Sequence, residues 1–370
     1  MKTMGIVFSN IYDSTLGELT NHRTVASLPF GGRYRQIDFI LSNFSNSGIY
    51  KVGLITKYNY RSLMDHIGSA ADWDLRRKNE RLVILPPFAS GNTGVYKGKL
   101  EALYSAMEFI DNHNYDYVVV SDSTVICNLD FRPAIESHIK SGADVTVISN
   151  KDTDENKKKH PLILHADKKG KVDSILIDSV SDDESYVGMG MFIMGRELLV
   201  KVIEEAHAKG YVHLEKDYLQ KYFNDGKAKV FIYDFKGVVL RNENIKSYYA
   251  NNMVLLNEKT RNGLFGKRPI YTKVRDEMPS FYGEGSAIAN SLVADGCRIY
   301  GDISNSILFR NVTIEEGAVV KDCIIMQGTT VCKGAKLESV ILDKNVTVTE
   351  NKELKGTPEH PVIIKKAEIV

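Results

Sequence analysis

Residues Met4–Phe39 read MGIVFSNIYDSTLGELTNHRTVASLPFGGRYRQIDF. The apolar run Met4–Phe8 is too short for a helix and suits a buried strand. A polar loop follows, with Ser9, Asn10, Asp13, Ser14 and Thr15, and then a turn at Pro29–Gly32 ahead of a segment able to start a helix. Strand, loop and helix in this order are how an α/β domain builds a phosphate cradle. Such a cradle relies on glycine, because backbone N–H groups must come close to the phosphate. Between Phe8 and Phe30 the only glycine is Gly17. The position of a phosphate loop is present and its chemistry is missing.

Working outward, residues 1 to about 255 alternate strand-like and helix-like segments. Lys51–Thr56, Arg81–Leu85, Tyr117–Ser121, Asp144–Ser149, Val172–Ile177, Val187–Met194, Lys229–Phe235 and Gly237–Leu240 are the expected strands. Asn59–Ile67, Gly98–Asn112, Phe131–Ser141, Glu197–Ala208, Leu214–Asn224 and Ile245–Asn257 are the expected helices. The alternation predicts an α/β domain with a mainly parallel, Rossmann-like sheet over residues 1–257. Residues 258–282 mix Lys, Arg, Gly, Pro and Asn without periodicity and read as a linker.

From residue 283 to 370 the pattern changes. Asn290-Ser-Leu-Val, Asn305-Ser-Ile-Leu, Asp322-Cys-Ile-Ile and Glu338-Ser-Val-Ile repeat one phrase at intervals of 15, 17 and 16 residues. Apolar residues recur at every sixth position, as in Ile314, Val320 and Met326. This predicts a left-handed hexapeptide parallel β-helix, in which each coil covers the apolar face of the next. A β-sandwich of evenly spaced strands accounts for the sixfold spacing less well.

The chain has 370 residues, 43% hydrophobic and 26% charged, with net charge +1. That balance gives no bulk electrostatic case for nucleic acid or membrane binding. Cys127, Cys297, Cys323 and Cys332 form no CxxC pair and no metal-ligand spacing. They read as reduced thiols of a cytoplasmic protein. The chain opens on a strand with no signal peptide ahead of it, and no apolar run is long enough to span a bilayer. Asn43-Phe-Ser45 matches a glycosylation sequon, which in that compartment is a chance match.

The block Pro29-Phe-Gly-Gly-Arg-Tyr-Arg-Gln-Ile-Asp-Phe39, with Leu41-Ser-Asn43, Val52-Gly-Leu-Ile-Thr-Lys-Tyr58, Trp73-Asp-Leu75, Tyr96-Lys-Gly98, Met189-Gly190 and Ala250–Asn257, resembles the bacterial glucose-1-phosphate adenylyltransferase (ADP-glucose pyrophosphorylase) family. The resemblance covers essentially the whole chain. It implies a reaction in which glucose 1-phosphate attacks the α-phosphate of ATP, giving ADP-glucose for glycogen synthesis and releasing pyrophosphate. The attacking group is already a phosphate, so the protein must mainly align two anions and offset charge. In the family a Gly-rich loop with an arginine and a lysine holds the triphosphate, and two aspartates hold Mg²⁺.

Carried onto this sequence, the resemblance implies that those groups are replaced. The loop glycines become Asn10, Ile11 and Asp13, its arginine becomes Thr15 and the following lysine becomes Val25. The first metal aspartate falls at Thr124, with Asp122 two residues earlier, and the second becomes Arg241. The sugar-phosphate lysine has no counterpart around Ile175–Glu184, and the Thr-Ala after Tyr-Lys-Gly becomes Lys99-Leu100. Losing one electrostatic catalytic group costs about 10²–10³ in rate, and such groups act as a unit. The chain is therefore most similar to the non-catalytic regulatory subunits of the GlgD type, with no metal or cofactor expected of its own.

On that reading Mg²⁺ belongs to a catalytic adenylyltransferase subunit, with which this chain forms a hetero-oligomer, by the family pattern a tetramer. A sugar-phosphate effector is implied at His22, Arg23, Arg33 and Arg35, since arginine suits bidentate phosphate capture. These four residues read equally well as solvated surface charges or interface ion pairs. A competing reading is an active adenylyltransferase that uses Asp122, Asp130, Lys97 or Lys99 in a rearranged metal and phosphate site. An acyltransferase is set aside, because Gly283–Glu350 contains no histidine.

Overall fold

The computed structural model describes residues 2–9, 13–86, 96–151 and 157–370, without the side chains of residues 13 and 14. The chain divides into two compact units that are interleaved along the sequence. One holds residues 1–11, 40–60 and 68–239, and the other holds residues 12–39, 61–67 and 240–370. The expectation of consecutive segments 1–257, 258–282 and 283–370 thus differs from the compact units, because Pro29–Phe39 groups with the β-helix and not with the sheet.

The first unit is built on a nine-stranded sheet. Its strands are Thr3–Phe8 (β1), Val52–Ile55 (β2), Leu82–Leu85 (β3), Tyr117–Asp122 (β4), Val145–Lys151 (β5), Lys159–Ala166 (β6), Val172–Val180 (β7), Tyr186–Gly195 (β8) and Val230–Asp234 (β9). β3, β2, β1 and β4 lie side by side in parallel. β8 then runs antiparallel to β4, β5 and β6, so the sheet is mixed and not mainly parallel beyond β4. Burial on both faces accounts for the continuous apolar runs: Met4, Ile6, Val7, Val118, Val119 and Val120 are all fully buried.

Several local expectations shift. β6 was not expected, since Pro161 and two histidines obscure its pattern. The helix expected over Gly98–Asn112 breaks at Ala106 into Lys99–Ser105 and Met107–Ile110. The helix expected over Leu214–Asn224 begins as a π-helix at Leu214–Gln220. Residues 258–282 are not all linker, because Glu258–Phe265 is helical and Asn257 caps it by accepting from Lys259 N and Thr260 N. The sequon Asn43 is buried, its side chain donating to Cys127 O (3.1 Å) and accepting from Leu129 N (3.0 Å).

In the second unit, residues 281–364 wind into a parallel β-helix with three faces, each a five-stranded parallel sheet. Leu292, Ile307, Ile324 and Ile341 are register partners on successive coils. Asn290, Asn305, Asp322 and Ser339 take positive φ at one corner. The fourth copy of the repeat therefore starts at Ser339, one residue later than the expected Glu338, and a fifth strand, Val362–Ile364, follows after an inserted loop. Val312, Ile314, Val331, Val346 and Val348 fill the interior. Cys297 and Cys323 are buried with them, and burial pushes the Cys323 thiol up to about 12, while Cys332 is only half-buried.

The Pro29–Phe39 block is fixed within this second unit. Tyr248, fully buried, donates to Pro29 O at 2.6 Å, and Gly31 N donates to Asn252 Oδ1 at 3.0 Å. Gly31 has φ +62°, and a Cβ there would also lie 3.0 Å from Leu255, so the Pro-Phe-Gly-Gly turn needs its glycine. Phe30, Tyr34, Phe39 and Phe265 form an aromatic cluster with ring centroids 5.1–6.0 Å apart.

Candidate functional site

In a parallel sheet, ligands bind beyond the carboxyl ends of the strands. β1 and β4 end together here, with Phe8 opposite Asp122. Asp122 is buried, and its Oδ2 accepts from Lys99 Nζ at 2.9 Å. The same ammonium donates to Glu215 Oε1. Lys99 is the first residue of its helix, and Glu215 stands in the first turn of the π-helix. The Phe8 and Phe192 ring centroids lie 5.9 and 5.4 Å from Nζ, giving the cation aromatic walls. Opposite Asp122, β8 carries a bulge between Gly188 and Met191. Gly190 takes φ +67° there, and a Cβ would fall 2.4 Å from Asp122 Oδ2. The mouth of the sheet is thus filled by one ammonium and two carboxylates.

Among the described residues, the remaining positions expected here form no second cluster of this kind. Thr124 sits in the turn after β4, half-buried, and Val25 is completely buried. Thr15 is exposed in the 3-10 segment Asp13–Thr20, and Arg241 is half-buried with its carbonyl accepting from Asn251 Nδ2 at 2.8 Å. Asn10, Ile11 and the side chain of Asp13 lie outside the described residues. Asp130 caps helix Phe131–Ser141 and pairs with the Arg132 side chain at 2.7 Å. Lys97 is exposed. Among the described residues, no group of three or more His, Cys, Asp or Glu side chains is placed to hold a metal ion. The divalent ion that the family uses does not fit these residues, because a cation already occupies the carboxylate at the strand end.

The second unit contains a different constellation. Arg33, Arg35, Arg275, Arg310 and Lys344 line one pocket with His66, Tyr34, Phe309 and Gln327. No carboxylate lines it among the described residues. The pocket spans about 370 Å³ counting its open mouth. Arg33 and Arg275 are exposed, while Arg35 and Arg310 are buried.

The buried members are held firmly. Arg35 donates to Ser62 O (2.6 Å) and Ser62 Oγ (3.0 Å). Burial, with Arg23 and Arg275 nearby, lowers Arg35 to about 10 against the opposing pull of Asp38. Burial followed by Arg33 lowers Arg310, whose Nε stands 3.5 Å from Asp295 Oδ2. Lys344 is lowered furthest, to about 6, by burial and then by Arg35 and Arg23. His66 Nε2 lies 2.6 Å from Asp38 Oδ1, yet burial outweighs the carboxylate and lowers the imidazole, so it is neutral at pH 7 and donates to Asp38.

Of the four residues expected to bind an effector, Arg33 and Arg35 line this pocket. Arg23 does not: its Nη2 donates to both oxygens of Asp343 at 2.6 Å, and both residues are buried. His22 is exposed and is not part of the lining. Sequence reasoning missed His66, Arg275, Arg310 and Lys344 in the pocket, and Glu215 at the sheet mouth. The repeat held a signal for two of them. Arg310, Gln327 and Lys344 each follow the third residue of a coil phrase (Ile307-Leu-Phe, Ile324-Ile-Met, Ile341-Leu-Asp), 17 residues apart. They stack on successive coils, with Gly328 N donating to Arg310 O and Asn345 N to Gln327 O.

Comparison with known proteins agrees with both halves of the chain. A family described as nucleotidyl transferase matches residues 13–238, and one described as GlmU-like, C-terminal hexapeptide matches residues 279–360. The chain is 32% identical over 364 residues to the glycogen biosynthesis protein GlgD of Bacillus subtilis (strain 168), covering 98% of this chain and 95% of that one. Against GlgD of Geobacillus stearothermophilus the identity is 34% over 372 residues, covering 100% and 97%. Against a glucose-1-phosphate adenylyltransferase of Clostridium perfringens (strain SM101 / Type A) it is 33% over 340 residues, covering 85% and 82%. With family descriptions matched over both halves and relatives matched nearly end to end, the chain belongs to the nucleotidyl transferase family, in the group that contains the glycogen biosynthesis protein GlgD and glucose-1-phosphate adenylyltransferase.

Proposed function

We propose that this chain is a non-catalytic regulatory subunit of glucose-1-phosphate adenylyltransferase, supporting ADP-glucose formation for glycogen synthesis by a catalytic partner subunit. The observation that carries the reading is the pairing of Lys99 with Asp122 at the mouth of the sheet. Phosphoryl-transfer catalysis needs free carboxylates for a metal and free cations for the triphosphate. Here the cation and the carboxylate satisfy one another. Mg²⁺ and the reacting phosphates then belong to the partner, and this chain acts on the partner's conformational equilibrium.

The basic pocket supports the effector part of the reading. Arg33, Arg35, Arg275 and Arg310 offer guanidinium groups suited to bidentate capture of a phosphate, and among the described residues no carboxylate lines the pocket. A sugar phosphate is the ligand class that fits this charge together with the ring of Tyr34.

The test is an assay of ADP-glucose synthesis from ATP and glucose 1-phosphate with Mg²⁺, using this chain alone and then mixed with a catalytic subunit from the same source. The expected result is negligible activity alone, and co-purification with altered turnover or effector response in the mixture. Substantial activity of the chain alone would favour the competing reading, an active enzyme with a rearranged site. Absence of both co-purification and any kinetic change would remove the subunit reading.

A further inference from the structure

We propose that Lys99 is a resident cation standing in for a divalent metal between Asp122 and Glu215, so that the mouth of the sheet is assembled without metal and is closed to it. The inference concerns this chain's own residues and stands whether or not the chain has a catalytic partner.

Three observations lead to it. First, the two carboxylates come from separate elements, the end of β4 and the first turn of the π-helix, yet both accept from the same nitrogen. Oxygens close enough to share one ammonium are close enough to share one divalent ion, whose ligand oxygens sit about 2.0–2.6 Å from the metal. Second, Lys99 and Asp122 are buried, and buried carboxylates need a counter-charge. A divalent ion in the same place would match these two carboxylates charge for charge. Third, the surroundings are shaped to hold Asp122 in this position. The bulge at Gly190 brings backbone against the carboxylate where any side chain would collide. The rings of Phe8 and Phe192 wall the cation in.

A lysine whose role was only to pack its aliphatic stem would have no reason to end between two carboxylates. Replacing it by a short side chain empties the space its ammonium occupies and leaves both acids in place. The inference is that this turns a metal-indifferent cluster into a metal-binding one.

The experiment uses the full chain and Mn²⁺ as the probe, with free Mn²⁺ read by electron paramagnetic resonance and folding read by thermal melting. For the wild type, no saturable binding and a melting temperature insensitive to Mn²⁺ are expected. For Lys99→Ala, binding at least tenfold tighter than in the wild type is expected, with a melting temperature that rises on adding Mn²⁺ and falls back with EDTA. In Lys99→Ala combined with Glu215→Gln the gain should disappear. Lys99→Arg, which keeps the charge, should stay metal-insensitive. Wild-type binding as tight as that of Lys99→Ala overturns the proposal. So does a folded Lys99→Ala chain without gained binding, or one that stays unfolded with Mn²⁺ present, because the space left is then not one that a metal fills. The readout is metal binding and not activity, so its failure is separable from failure of the regulatory reading.

Discussion

Lys99 and Arg35 are both buried cations, one in each compact unit, and their surroundings differ in sign. Lys99 faces two carboxylates between two aromatic rings. Arg35 bonds neutral oxygens of Ser62 and shares its pocket with three more arginines and a lysine. A cation already held between carboxylates is partnered as folded, and a ligand gains little by entering. Burial, followed by the neighbouring Arg35 and Arg23, lowers Lys344 to about 6, and an anion in the pocket favours its charged form. One unit thus holds a cation paired with carboxylates and the other an open basic pocket, in a chain of nearly neutral net charge.

The sharpest way to break this contrast is to unbalance a charge pair bordering the pocket. Arg23→Ala leaves Asp343 buried without its guanidinium, and such losses cost about 3–5 kcal/mol. Chemical denaturation should show that loss, and the double variant Arg23→Met with Asp343→Leu should recover most of it. If Arg23→Ala unfolds at wild-type denaturant concentration, the pair is not structural and Arg23 returns to the list of effector ligands.

Within the pocket, Arg35→Gln and Arg310→Ala each remove one charged hydrogen-bonding group, worth about 1.5–3 kcal/mol to an anion. Binding of glucose 6-phosphate, used as a probe and followed by calorimetry, should weaken by about 10- to 100-fold. His22→Ala should leave it unchanged, since His22 does not line the pocket.

A smaller effect concerns protons. Lys344 is mostly neutral at pH 7, and a bound anion favours its charged form. Affinity should therefore rise as pH falls from 8 towards 6, with proton uptake visible as a dependence of the binding heat on buffer ionisation enthalpy. Lys344→Met should abolish the uptake. Without ligand the sign follows from linkage. Between about pH 6 and the ordinary lysine value near 10.4, the unfolded chain carries the proton and the folded chain does not, so this group adds stability as pH rises through that window. Lys344→Met should flatten that slope.

The smallest effect is expected on the outer face of the β-helix, where Lys336 and Glu353 pair at 3.1 Å but are both well exposed. Lys336→Ala should leave the melting temperature within error, because exposed pairs gain little net energy.

Much of this architecture is legible along the chain. The sixfold repeat indicates a β-helix because each coil repeats one burial pattern, and the short β-branched runs mark the sheet because both of its faces are covered. The repeat even carries the stacked Arg310, Gln327 and Lys344 in plain view. The misreadings arise where long-range packing decides. Ser339 and not Glu338 begins the fourth coil, because the corner needs positive φ at that residue. β6 escapes notice because strand pairing, and not its Pro-interrupted pattern, makes it a strand. Arg23 is among the effector residues expected from the sequence, yet it is paired with a carboxylate 320 residues away.

The opening stretch, Met4–Phe39, shows where the line falls. Sequence alone determined that a strand leads into a loop stripped of phosphate-binding glycines, that Pro29–Phe39 is kept as a block, and that a coiled β domain follows. Those are local patterns of hydrophobicity and backbone freedom, which a linear chain displays directly. Tertiary structure alone decided that β1 and Pro29–Phe39 belong to different compact units. It also decided that Lys99 pairs with Asp122 and that Arg33, Arg35, Arg275, Arg310 and Lys344 share one pocket. Charge balance depends on distances of a few ångströms between residues far apart in sequence, and only the folded chain sets those distances.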